Sequence, residues 1–87
     1  MTRQRDTPRQ RAFGRAVREV RARRGLSQEA LGQGSGLHRN YVGAIERGEI
    51  NATLKTVQRL AHGLRRSHAE IVQLAARYEG EDAARVR

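Results

Sequence analysis

The stretch SQEALGQGSGLHRNYVGAIERG, residues 27–48, sets the architecture. Ser27 is a good helix N-cap, and Glu29 places negative charge in the first turn that follows. Ala30 and Leu31 are the inward residues of that helix, and Gly32, Gly34 and Gly36 keep it short. A glycine inside a helix costs about 1 kcal/mol relative to alanine, so this element depends on packing for its existence. Gly36 supplies a turn position that tolerates positive φ. A second short helix is expected from about Arg39 to Arg47, with Leu37 before it, Val42 and Ile45 inward, and Gly48 to stop it. Small residues at Gly32 and Gly36 allow two helices to cross closely, and Leu31, Leu37, Val42 and Ile45 lock the crossing by burial. That is the physical requirement of a helix-turn-helix, placed here at about residues 27–47.

The flanks add three helices. Phe13, Val17, Val20 and Arg24 fall on one helical face with Ala16 beside them, and Gly25 is placed to end that helix. After a loop at residues 49–52, Thr53 caps a fourth helix with the inward stripe Leu54, Val57, Leu60, Ala61 and Leu64. Ser67 and Glu70 form a capping box that opens a fifth helix, with Ile71, Leu74, Ala75 and Tyr78 on one side and Gly80 to close it. No β alternation of useful length and no repeat is visible. The expectation is an all-α, compact five-helix domain at residues 12–80. Residues 1–11, MTRQRDTPRQR, present no apolar face and are expected to form a flexible basic arm. Residues 81–87 read as a frayed tail.

Composition narrows the function. Eighteen Lys plus Arg against nine Asp plus Glu give 87 residues a formal charge of +9. Residues 1–24 hold nine Arg against Asp6 and Glu19, so most of the excess lies in the first quarter. Such a balance implies a polyanionic partner. Phe13, Tyr41 and Tyr78 are the only aromatic residues, too few for a single-strand stacking platform. Cysteine is absent, which removes disulfides, thiolate zinc sites and a cysteine nucleophile. The three histidines lack ligand-like spacing, so no metal and no cofactor is expected. Ser27, Ser35 and Ser67 have no base and orienting acid at recognisable spacing, so no catalytic residue is assigned and an enzyme is not expected. No apolar run approaches the roughly 20 residues needed to cross a bilayer, and no secretory h-region precedes Phe13.

The run GLSQEALGQGSGLHRNYVGAIERGEINATLKTVQRLA closely resembles the Cro/cI-type, or Xre-family, helix-turn-helix regulators. The tokens are Ser27-Gln28-Glu29, Gly36-Leu37, Tyr41-Val42 and Ile45-Glu46-Arg47-Gly48, followed by a capped helix containing Leu60-Ala61. The likeness covers about residues 13–74. It implies a lambda-repressor-like, five-helix DNA-binding domain, usually dimeric, whose third helix enters the major groove. Carried over by position, it implies base reading by Arg39, Asn40 and Ala44. It also implies backbone contacts from Gln28, Tyr41 and Arg47, with His38 at the start of the reading helix. Arg bidentate to guanine and Asn bidentate to adenine fit that role, and Ala44 offers only a methyl group. The resemblance further implies an Arg21–Glu46 ion pair that positions the reading helix. His38 stands where relatives commonly place a Ser or Thr cap, Gly34 is an unusual breaker, and Arg66 replaces a usual apolar residue.

Alternatives remain open at this level. Arg39 reads a base, holds a phosphate or is solvated, and Asn40 reads a base or holds a phosphate. Arg3, Arg5, Arg9 and Arg11 form a solvated tail, or they follow phosphates or enter a minor groove. Leu74, Ala75 and Tyr78 read as a homodimer seam, with ordinary core as the alternative. The leading expectation is a prokaryotic, cytoplasmic, nucleoid-associated regulator. It would read a roughly palindromic operator in double-stranded DNA as a homodimer, as a repressor or a restriction–modification controller. The alternatives are an antitoxin that binds a protein toxin, and non-specific binding to nucleic acid or an anionic membrane through the arm.

Overall fold

The structure, a computed structural model, describes residues 7–86. Among these residues five helices and no strand occur: α1 Pro8–Arg23, α2 Gln28–Ser35, α3 Arg39–Glu46, α4 Leu54–Leu64 and α5 His68–Val86. None of them is long and apolar enough to cross a membrane.

Local chemistry explains the starts. Thr7 Oγ1 accepts the Gln10 N–H at 3.1 Å, and Pro8 takes the first helical position, where its missing N–H costs nothing. Ser27 Oγ accepts the Ala30 N–H at 2.9 Å, and Thr53 Oγ1 accepts the Thr56 N–H at 3.2 Å. Ser67 and Glu70 exchange hydrogen bonds at 2.9 and 3.1 Å, which is the expected capping box. His38 does cap α3: its Nδ1 accepts the Asn40 N–H at 3.0 Å, a ring nitrogen standing in for the usual hydroxyl.

The helices close on one core. Val17, Leu31, Val42, Ile45, Leu60, Leu64 and Ile71 are its largest fully buried side chains. The left-handed turn at Gly36, with φ 72°, brings the Leu37 N–H to the Gly32 carbonyl at 2.8 Å. Gly34, read from sequence as a breaker, serves packing: a Cβ there would lie 3.4 Å from the Gly63 Cα, so the two glycines mark the crossing of α2 and α4. Gly14 lets α1 rest on α3, since a Cβ there would meet the Ile45 carbonyl oxygen at 2.3 Å.

Three expectations require correction. The arm does not extend to residue 11. The Thr7 cap and Pro8 start α1 early, so Arg9 and Arg11 are helical, while Arg3 and Arg5 lie outside the described residues. The fifth helix does not stop at Gly80, which keeps an ordinary negative φ, and the helix runs on to Val86. Its acidic residues meet the arginines of α1: Arg9 with Glu79 at 3.6 Å, and Arg15 with Asp82 at 3.7 Å and Glu81 at 4.0 Å. Finally, Ala75 and Tyr78 belong to the chain's own core rather than to an exposed seam. The lengthened α5 lies along α1, the Tyr78 hydroxyl donates to Glu19, and the Arg15 guanidinium sits 3.7 Å above the Tyr78 ring. Only Leu74 of that trio remains half exposed.

Candidate nucleic-acid interface

Three side chains tie α1, α2 and α3 together beneath the reading helix. Glu46, at the end of α3, has a side chain only 3% exposed. It accepts from Arg21 Nε at 2.6 Å and Nη2 at 3.0 Å, a two-pronged guanidinium–carboxylate pair. Gln28 Nε2 donates to the same carboxylate at 3.0 Å. Arg21 Nη1 also donates to the Leu26 carbonyl at 2.8 Å, fixing the link between α1 and α2. Hydrogen bonding to Glu46 pushes the Arg21 pKa further up, so this cation stays charged at every physiological pH. The expected Arg21–Glu46 pair is therefore present. Gln28 is its third member, a role beyond the backbone contact or plain helix-start position read for it from sequence.

The outer surface of α3 carries the expected reading residues. Arg39 and Asn40 are exposed, Ala44 and Tyr41 are half-buried, and Tyr41 packs against the core edge. His38 and Arg47 are exposed at the two ends of α3. Arg39 has only a loose partner, Glu29, at 3.9 Å with both side chains 62% exposed. Such a pair is worth little in water and yields readily to a better acceptor. Arg47 is engaged by Glu49 at 2.8 and 3.2 Å, and that carboxylate raises its pKa. Gly43 keeps the face low between them: a Cβ there would press on Arg47 Nη1 at 3.1 Å and Gln28 Oε1 at 3.5 Å. Pairing of Glu29 with Arg39 and of Glu49 with Arg47, and the close fit at Gly43, were not assigned from sequence. Glu49, two residues from Arg47, was a visible signal, whereas the fit of Gly43 under Gln28 depends on how α2 crosses α3. Sequence reasoning and structure agree in bringing Arg39, Asn40, Ala44, Gln28, Tyr41, Arg47 and His38 onto α3 and the start of α2.

Residues 17–71 match the helix-turn-helix family. The chain belongs to that family. Over 51 residues it is 51% identical to the control protein C.SmaI of Serratia marcescens, covering 59% of this chain and 61% of that protein. Over 53 residues it is 38% identical to the control protein C.BamHI of Bacillus amyloliquefaciens, covering 60% of this chain and 65% of that one. The fold also matches the restriction–modification controller protein C.AhdI from Aeromonas hydrophila. That likeness has TM-score 0.69 and 44% identity over 70% of this chain and 92% of that one. The clp gene regulator ClgR from Corynebacterium glutamicum is similar over 93% of this chain and 86% of its own, with TM-score 0.86 and 26% identity.

A second surface has different chemistry. A groove of about 730 Å³ lies between the start of α1, the α3–α4 loop and α5, lined by Phe13, Ile50, Ala52, Val57, Val72 and Ala76. Val72 and, two residues after Ala52, Leu54 are the exposed large apolar side chains, at 48% and 66% exposure. No group of three or more His, Cys, Asp or Glu able to hold a metal ion occurs among the described residues.

Proposed function

We propose that this chain is a sequence-specific regulator that binds double-stranded DNA as a homodimer, acting as a controller in the manner its relatives' names describe. The observation that carries the reading is the α2–α3 pair. A buried carboxylate clamps the two helices, and Arg39 and Asn40 stand exposed on the free face of the second. The major groove admits one such helix, Arg39 suits guanine O6 and N7, and Asn40 suits adenine N6 and N7. Ala44 faces a thymine methyl. Tyr41, Arg47, His38 and the second amide proton of Gln28 hold phosphates around that helix. The orphan amides at the start of α2 add to the backbone contacts, because a helix N-terminus favours an anion.

The homodimer belongs to the same proposal. Two reading helices about 34 Å apart match successive major grooves on one side of a duplex, and a roughly palindromic operator follows. With Ala75 and Tyr78 buried, Leu54, Val72 and the groove beside them form the apolar surface a second copy can cover, with Leu74 on the other side of α5. The protein then acts at chromosomal DNA in the cytoplasm. An antitoxin role has no support among the relatives, which carry regulator and controller names.

Electrophoretic shift against a panel of genomic fragments tests the reading. One preferred fragment, bound at concentrations that leave the rest free, is expected. Uniform weak binding to all fragments would overturn sequence-specific recognition.

A further inference from the structure

Positive charge is spread along the chain, but it is free in only some places. In α1, Arg9, Arg15, Arg21 and Arg23 each meet a carboxylate, from Glu79, Glu81 and Asp82, Glu46 and Glu19, while exposed Arg18 meets none among the described residues. On the reading face, Arg39 and Arg47 meet Glu29 and Glu49. Residues 50–69 break this pattern: they contain Lys55, Arg59, Arg65 and Arg66 with His62 and His68, and not one Asp or Glu.

The fold concentrates that segment on one surface. In α4 the inner residues Thr56, Val57, Leu60, Ala61 and Leu64 are buried. Lys55, Arg59 and His62 recur at helical spacing on the opposite face, and all three are exposed. The helix ends on exposed Arg65, with Arg66 folded back to donate to the Arg65 carbonyl at 3.0 Å. Among the described residues, no carboxylate forms an ion pair with Lys55, Arg59 or Arg65. Arg65 adds an independent sign. It is the one non-glycine described residue with positive φ, 56°, at a helix end where glycine is the usual occupant. The helix therefore ends on a cation rather than on the glycine that this backbone geometry favours.

We propose that the outer face of α4, from Lys55 through Arg59 and His62 to Arg65, is a second binding surface for the sugar–phosphate backbone of DNA outside the operator. This rests on the reading that α3 occupies the operator's major groove. Both α3 and α4 pack on α2, which holds the two helices in one rigid unit, and on this proposal the stripe takes DNA beyond the bases that α3 reads. From Lys55 to His62 the helix rises about 10 Å, enough to follow about three phosphates of one strand at 3.4 Å each. The contact is electrostatic and carries no sequence information, so it raises affinity and residence without altering base preference.

The test compares two duplexes carrying the same core, chosen by selection from a random pool: one ending at the core, one extended by ten base pairs on each side. Fluorescence anisotropy gives affinity as a function of salt. Each phosphate contact adds about 0.9 to the log–log salt slope, so losing one contact lowers affinity about eightfold at 0.1 M relative to 1 M salt. With about three phosphates at about 0.9 each for each subunit, and one flank per subunit, the wild-type slope should be steeper on the extended duplex by about five. The variant Lys55→Gln/Arg59→Gln/Arg65→Gly should show that extra slope on neither duplex, yet keep the wild-type preference for the selected core over a scrambled one. If the extra slope is absent for wild type on the extended duplex, a second labelled duplex, read by energy transfer between the two, tests whether α4 takes a separate DNA segment. No extra slope and no energy transfer, or a variant that retains either, would overturn the proposal. Loss of core preference in the wild type would instead overturn the operator reading. Arg65→Gly alone should raise the melting temperature while weakening binding to the extended duplex. A lower melting temperature would show that Arg65 serves the fold and would remove it from the surface.

Discussion

Replacing Glu46 by alanine probes the joint on which the reading face depends. The substitution removes the acceptor of two Arg21 hydrogen bonds and one from Gln28. It leaves a guanidinium whose side chain is 17% exposed, beside a vacated carboxylate site that was 3% exposed. Breaking a buried pair by deleting one partner costs about 3–5 kcal/mol. Arg21 keeps its bond to the Leu26 carbonyl at 2.8 Å and some access to water, which places the cost near the lower end, about 3 kcal/mol. A domain of this size holds roughly 4–13 kcal/mol of stability and loses about 4–8 °C of melting temperature per kcal/mol. A drop of about 12–24 °C is therefore expected, read by circular dichroism at 222 nm. Arg21→Ala should cost a similar amount, and the double variant little more than either single, because the second deletion removes a group already stranded. Single-variant costs below about 1 kcal/mol, or costs that add to within about 0.5 kcal/mol in the double variant, would refute the clamp.

The other predictions concern the site, the packing and the titrating groups. Arg39→Ala should leave the melting temperature unchanged, since its Glu29 contact is loose and exposed, but cost about 1–3 kcal/mol at the preferred DNA site. Equal losses on unrelated DNA would reduce Arg39 to a phosphate contact. Gly14→Ala should unfold the domain or lower its stability severely, because the new Cβ meets α3 backbone oxygens at 2.3 and 2.6 Å. Gly80→Ala, with open space around it inside α5, should stabilise by about 0.5–1 kcal/mol. Stability should also fall at both pH extremes. The Tyr78 hydroxyl holds the Glu19 carboxyl below its usual 4.5, and the Ser67 N–H does the same for Glu70. Both contributions are complete above pH 4.5 and are lost as pH falls through the lowered values. Glu19 in turn raises the Tyr78 pKa above 10, so that contribution is complete below pH 10 and is lost as pH rises through the raised value. Thermal melts from pH 3 to pH 11 check this: a melting temperature that does not fall below pH 4.5 would contradict it.

What was legible in the sequence was local. Ser27, Thr53 and the Ser67–Glu70 box mark helix starts because a cap and its amide lie within three residues. The glycine turn at Gly36 and the apolar residues around it were enough to place α2 and α3. Thr7 and Pro8 carry a local start signal, a cap and a first-position proline, inside a segment whose lack of an apolar face reads as an arm. The continuation of α5 past Gly80 brings Glu79, Glu81 and Asp82 beside arginines of α1 far away in sequence, a juxtaposition that no local pattern reports. Ala75 and Tyr78 are buried because α5 packs along α1, a tertiary contact that the residue pattern of α5 alone does not report. On the site, the resemblance placed Arg39 and Asn40 on the third helix, and both are exposed there. The partners of those residues, and the role of Gln28 in the Glu46 clamp, emerge only once α1, α2 and α3 meet.

Selection of bound sequences from a random duplex pool tests the central claim most directly. The account predicts an enriched, roughly palindromic motif whose half-sites lie 10–10.5 base pairs apart, or a multiple of that spacing, centre to centre. Arg39→Ala should relax one position in each half-site. A pool that stays random through successive rounds, with binding that depends on salt alone, would contradict it.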